Sequence, residues 1–163
     1  METKQKNMTR KLAVAGVLTA LAVAGSTIGF PVAGSKCAPV QHMVNILAAV
    51  MVGPGWGVGI AFCASLMAFP GSMVGALLCG LVCMYTKNLK LTCLAEAFGT
   101  SVLGGLAAYP VAKFIMGSAP AGLFVYVIPF LISTAAGSIL AFILITILEK
   151  GGVFSQLFPQ QRR

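Results

Sequence analysis

Apolar residues dominate this chain in long blocks, and short stretches rich in proline, glycine or charge separate the blocks. A helix needs about 20 mostly apolar residues to cross the hydrocarbon core of a bilayer. The blocks therefore predict six transmembrane helices, at about residues 11–30, 39–53, 55–69, 71–86, 91–110 and 122–148. The third is short, because about 15 residues rise only about 22 Å against a core of about 30 Å.

The composition places the chain in lipid rather than in water. Its 163 residues are 58% apolar and 9% charged, with a mean hydropathy of +0.96. A soluble domain usually carries about 25% charged residues. We therefore predict an all-α membrane protein whose residues 1–163 form one compact six-helix bundle. A signal peptide is an alternative for the first block, but apolar sequence continues past the small residues where cleavage would occur.

The basic residues predict an orientation for this bundle. The formal net charge is +8, and nine of the eleven basic residues fall at the chain ends or in the connection after the fourth block. By the positive-inside rule, both termini are expected in the cytoplasm. Because the basic residues form no stripe with interleaved aromatic residues, we do not expect nucleic-acid binding.

Polar residues within the apolar blocks are the candidates for function, because they are expensive to bury in lipid. Gln41, His42 and Asn45 open the second block, and both ligand binding and hydrogen bonding to neighbouring helices explain them. Glu96 is the one acid inside a block. It lies about 20 Å along the helix axis from Tyr109, and we expect it not to share the outer pocket. A protonated Glu96 bonded to a neighbouring helix is the favoured interpretation, and a role in ligand binding or coupling is the alternative.

Several function classes find no support in these residues. One histidine and one intramembrane acid do not supply the paired groups of an intramembrane protease or lipid transferase, so no catalytic residue is predicted. The sequence has no phosphate-binding loop for ATP. The five cysteines fit packing better than metal binding, and we predict no metal and no cofactor.

Small residues recur at four-residue spacing on the first helix, at Gly16, Ala20 and Ala24. Such a strip lets another helix approach closely. Packing within the bundle is the interpretation that the spacing favours by itself, and a helix of a partner protein is the alternative.

Three blocks of this sequence resemble the ThiW family of substrate-binding S components of energy-coupling factor (ECF) transporters. They are FPVAGSKCAPVQHMVN at 30–45, AFPGSMVGA at 68–76 and AAYPVAK at 107–113. The likeness covers nearly the whole chain. It implies a six-helix protein in the plasma membrane of a prokaryote that binds hydroxyethylthiazole, the thiazole precursor of thiamine, from outside. It also implies a transmembrane coupling protein and two cytoplasmic ATPase subunits as partners.

The resemblance also assigns roles to residues. S components hold their ligand near the outer face, and they use an Ala-x-x-x-Ala strip on the first helix to meet the coupling protein, which Ala20 and Ala24 match with Gly16 extending it. The residues expected to bind the thiazole are Lys36, Gln41, His42, Asn45, Phe69, Ser72 and Tyr109.

The chain departs from the family pattern in one place, since Ser65-Leu66-Met67 runs directly into Ala68 where family members carry a longer stretch. This shortening removes part of one expected wall of the pocket. Two other hypotheses stay open at this point: an S component for a different vitamin, and a membrane scaffold or accessory subunit that does not transport.

Overall fold

A computed structural model of the chain describes residues 2–32, 35–65, 71–115, 117 and 122–152. Its described part contains six helices and one β-hairpin. The helices are α1 Glu2–Thr27, α2 Pro39–Met51, α3 Pro54–Ser65, α4 Gly71–Thr86, α5 Leu89–Ile115 and α6 Val127–Lys150. The hairpin joins α1 to α2 and pairs β1 Phe30–Val32 antiparallel with β2 Ser35–Cys37.

The helical prediction is confirmed, while the prediction of six spans is confirmed only in part. Among the described residues, three helices are long and apolar enough to cross a membrane: Asn7–Thr27 within α1, Leu89–Ile115 and Val127–Lys150. The apolar helices α2 and α4 are shorter, with 13 and 16 residues. The first connection, expected as a plain loop, contains the hairpin instead, because the chain reverses between two short extended segments.

Helix α2 is the centre of the bundle. It packs against α1, α3, α4 and α6, and its side chains from Val44 to Val50 are all buried. Pro39 lies in its first turn, where backbone amides have no intrahelical acceptor, so the missing N–H of proline costs no hydrogen bond. Gly53, with φ +93°, ends the segment and turns the chain directly into α3. Residues in the first half of α2 therefore meet several helices at once.

Helix α5 is continuous but not uniformly wound. It contains two stretches of wider π-helical turns, at Gly99–Gly104 and Val111–Ile115. Its start is capped by Asn88, whose side-chain oxygen accepts a hydrogen bond from the amide of Lys90 at 3.0 Å. Wider turns of this kind often occur at functional sites. The first of them begins beside the polar centre described below.

The strip of small residues on α1 faces outward. Gly16, Ala20 and Ala24 are exposed, whereas the side of α1 that packs into the bundle carries Ala15 and Leu18 among its buried residues. A Cβ added at Gly16 would meet no atom within 4 Å. The interpretation favoured by spacing alone, packing inside the bundle, is therefore wrong.

Helices α4 and α5 approach each other closely at Gly71 and Gly104. A Cβ at Gly71 would lie 2.9 Å from the carbonyl oxygen of Gly104, and a Cβ at Gly104 would overlap the carbonyl oxygen of Gly71. Because both overlapping atoms belong to the backbone, a side chain at either position fits only if the two helices move apart.

We expect Gly104→Ala to lower the free energy of unfolding by about 1–3 kcal/mol, because the added methyl forces α4 and α5 apart. Gly59→Ala is the matched control, since Gly59 is exposed on α3 and its Cβ would meet nothing within 4 Å. Equilibrium unfolding in mixed micelles measures both variants. Equal stability of the two variants would contradict the close approach.

Candidate functional site

A cavity of about 80 Å³ lies at the hairpin end of the bundle. It is formed where the end of α1, the hairpin and the first turns of α2, α4 and α6 converge on the middle of α5. Its lining residues are Ser26, Ser35, Lys36, Ala38, Gln41, His42, Ser72, Thr100 and Phe130. Most of these are polar, and small-molecule sites characteristically combine an enclosed space with a few convergent polar groups.

Four of the predicted ligand-binding residues lie on the wall of this cavity: Lys36, Gln41, His42 and Ser72. Asn45 lies one helical turn deeper, fully buried behind His42. The fold therefore brings these five residues together at the hairpin end of the bundle, although their contact with a ligand stays a prediction.

The other two predicted residues have different outcomes. Tyr109 does not belong to the lining of this cavity in the part of the chain that the structure describes; its ring lies beside Lys113, whose Nζ is 5.9 Å from the ring centroid. Phe69 falls outside the described residues.

A carboxylate at the centre of the bundle holds the deep side of the site together. Oε1 of Glu96 lies 3.0 Å from Nδ1 of His42, and it accepts hydrogen bonds from Nδ2 of Asn45 at 2.9 Å and Oγ1 of Thr100 at 3.1 Å. Glu96 and Asn45 are 0% exposed and His42 is 6% exposed. Three polar groups from α2 and α5 thus converge on one oxygen.

Glu96 lies outside the described lining of the cavity, in agreement with the expectation that it does not share the outer pocket. It is nevertheless close to the outer residues, because α5 runs alongside α2 and brings Glu96 laterally against His42 and Asn45. The expected hydrogen bond to a neighbouring helix is confirmed, with Glu96 as the acceptor. One signal in the sequence points to the pair: a buried acid requires a partner, and His42 is the one histidine of the chain.

A second set of hydrogen bonds forms the side of the cavity. Nε2 of Gln41 donates to Oγ of Ser72 at 2.8 Å, and the hydroxyls of Ser72 and Ser65 lie 2.9 Å apart. Asn45 Nδ2 also reaches the carbonyl oxygen of Ser72 at 3.4 Å. These contacts connect α2, the end of α3 and the start of α4 on either side of the shortened segment, whose residues 66–70 lie outside the described residues.

The hairpin is anchored on α6 by contacts that the sequence did not reveal. The thiol of Cys37 donates to the carbonyl oxygen of Pro129 at 3.1 Å, and the amide of Ala38 donates to Oγ of Ser133 at 2.9 Å. Burial raises the pKa of the Cys37 thiol, which keeps it protonated and able to donate. Sequence reasoning also missed Ser26, Thr100 and Phe130 as lining residues, because two small hydroxyls and one aromatic ring carry no distinctive pattern.

A larger cavity of about 260 Å³ opens at the other end of the bundle. It lies beside the turn from α2 to α3, and apart from Cys83 its polar side chains are Lys11 and Lys87. Its described lining contains no cluster of buried polar side chains comparable to Gln41, His42 and Ser72. The cavity at the hairpin end is therefore the better candidate for a selective ligand site.

We expect Glu96→Ala to lower the free energy of unfolding by about 3–5 kcal/mol, because His42 and Asn45 would stay buried without their shared acceptor. Lys90→Ala, at an exposed position near the start of the same helix, is the control and should change it by less than about 0.5 kcal/mol. Equilibrium unfolding in mixed micelles compares the two. A loss at Glu96 no larger than at Lys90 would contradict the network.

Comparison with known proteins gives one match. The family model described as thiamine-precursor transporter protein (ThiW) matches residues 12–151. Searches of curated proteins and of solved structures find no significant match. The matched range contains α1 from residue 12 onward, the other five helices, the hairpin and every residue that lines the cavity at the hairpin end. The chain therefore belongs to the ThiW family of thiamine-precursor transporter proteins.

Proposed function

We propose that this chain is the substrate-binding S component of an ECF transporter and that it captures hydroxyethylthiazole at the outer face of the plasma membrane of a prokaryote. The observation that carries the proposal is the cavity whose wall combines Gln41, His42 and Ser72, residues of the sequence blocks that resemble the family. Family membership supports a thiamine precursor as the cargo.

The chemistry of the cavity suits a small neutral heterocycle. The amide of Gln41, the imidazole of His42 and the hydroxyls of Ser26, Ser35 and Thr100 offer donors and acceptors to a ring nitrogen and a hydroxyl arm. The ring of Phe130 adds an apolar surface. Binding requires no covalent change, so we assign the protein no enzymatic activity, and ATP hydrolysis falls to the partner subunits.

The distribution of charge supports an outward-facing cavity. Lys11 and Lys87 line the cavity at the end opposite the hairpin, and Lys90 and Lys150 stand at ends of α5 and α6 that face the same way. The positive-inside rule puts that end in the cytoplasm. The hairpin and the ligand cavity then face outside, and both termini lie inside in a six-span topology.

The exposed strip on α1 is the proposed contact with the transmembrane coupling protein. Gly16, Ala20 and Ala24 form a shallow face that no other part of the described chain covers. Small residues at this spacing let a partner helix approach closely within lipid. Reorientation of the whole bundle against that partner, driven by two cytoplasmic ATPase subunits, would then release the ligand inward.

We expect hydroxyethylthiazole to stabilise the detergent-purified protein against thermal unfolding, by about 2.7 kcal/mol at a free concentration of 100 times Kd. Thiamine and riboflavin are the control ligands and should give no shift. A shift with riboflavin in place of the thiazole would point to another vitamin. No shift with any ligand, in a folded sample, would favour a non-transporting scaffold subunit.

We expect the double variant Ala20→Leu, Ala24→Leu to abolish thiazole uptake by cells that express the whole transporter, because the bulky side chains prevent the partner helix from approaching. Thiazole binding by the isolated variant should be unchanged. Ala135→Leu, which enlarges an exposed alanine of α6, is the matched control and should transport normally. Loss of binding along with uptake would contradict an interface role.

A further inference from the structure

The contact with Glu96 determines which atom holds the proton at Nδ1 of His42. Glu96 Oε1 lies 3.0 Å from Nδ1 and also accepts from Asn45 and Thr100. A carboxylate oxygen that accepts from several donors carries the negative charge, and an ionised carboxylate accepts only. The proton between His42 and Glu96 therefore resides on Nδ1.

Charge balance then decides the state of the other ring nitrogen. Glu96 is completely buried, and three donors converge on its Oε1, which stabilises the ionised form of the carboxylate. A lone carboxylate inside the bundle would be strongly unfavourable, and His42 is the basic side chain in contact with it. An imidazolium on His42 would neutralise the carboxylate and leave a proton on Nε2 as well.

Nε2 is the edge of the ring that is free to meet a ligand. His42 lines the cavity, and no hydrogen bond joins Nε2 to another described residue. The wall also includes the Lys36 ammonium side chain, and no carboxylate of a described residue lines it. The cavity therefore presents a donor and an excess of positive charge.

We infer that Nε2–H of His42, oriented by Glu96, donates a hydrogen bond to the unsubstituted ring nitrogen of a neutral azole, and that the site thereby rejects thiazolium cations. A thiazolium nitrogen carries a substituent in place of the lone pair and brings a positive charge toward His42 and Lys36. Thiamine contains such a ring. This inference rests on the proposed function and adds the rule by which the site selects a precursor over the finished vitamin.

A ligand series on the unmodified protein tests the inference by isothermal titration calorimetry. The probes are hydroxyethylthiazole, its N-methylthiazolium derivative and the thiophene with the same substituents, which has neither the nitrogen nor the charge. We expect the N-methyl derivative to bind at least about 100-fold more weakly and the thiophene at least about 10-fold more weakly.

The two thresholds decide the inference. An N-methyl derivative that binds less than about 100-fold more weakly than the thiazole, or a thiophene that binds less than about 10-fold more weakly, would overturn the inference and leave the proposed function standing. Failure of the thiazole itself to bind a folded sample would overturn the proposed function and the inference together.

Nitrogen NMR gives a direct readout, because the chain contains one histidine. In protein labelled with ¹⁵N-histidine and purified without a histidine tag, both ring nitrogens of the thiazole complex should be protonated. Thiazole binding should shift the Nε2 signal more than the Nδ1 signal. An unprotonated Nε2 in the complex would overturn the inference.

Glu96→Gln tests the orienting role, since the amide keeps the shape of the side chain but removes the charge that balances the imidazolium. Thiazole affinity should fall at least about tenfold, and the Nε2 proton should be lost. Ser101→Ala, which removes a buried hydroxyl from the same helix away from the cavity, is the matched control and should bind normally. Unchanged affinity in Glu96→Gln would overturn the role of Glu96, and if that variant fails to fold, the ligand series and the spectra of the unmodified protein decide.

Discussion

The buried carboxylate of Glu96 constrains how the helices pack in the interior of this bundle. An ionisable group in the middle of an apolar bundle requires partners, and Glu96 draws His42 and Asn45 from α2 and Thr100 from its own helix onto one oxygen. These contacts determine how α2 and α5 are rotated relative to each other. Gly75 of α4 permits the arrangement, because a Cβ there would lie 2.8 Å from Oε2 of Glu96.

The ligand cavity follows from that arrangement. Glu96 holds the ring of His42 in the cavity wall. The hydrogen bond between Gln41 and Ser72 forms the side of the cavity. The hairpin covers the same end because Cys37 and Ala38 hydrogen-bond to α6. The site is thus assembled from every helix of the described chain except α3, which supports it through Ser65. A rigid polar floor beneath a small cavity suits selection by hydrogen bonding more than by shape alone.

The outer surface follows a different rule. Much of α6 exposes large apolar side chains, such as Ile139, Ile143 and Ile147, which suit contact with acyl chains. On α1 the strip from Gly16 to Ala24 is shallow instead. In lipid, apolar side chains gain little by leaving one apolar environment for another, so close packing of small residues drives association. The ligand site and the proposed partner surface therefore occupy different parts of the molecule.

The sequence by itself determined the helices and four of the nine residues that line the cavity. Lipid demands long apolar blocks, proline and glycine interrupt them, and the few polar side chains within them are conspicuous. Only the tertiary structure decided that Glu96 meets His42, that Tyr109 lies away from the cavity and that the strip beginning at Gly16 faces outward. The physical reason is that spacing along one helix gives its faces but not which neighbour each face meets. That choice depends on how all six helices rotate to bury their polar groups together.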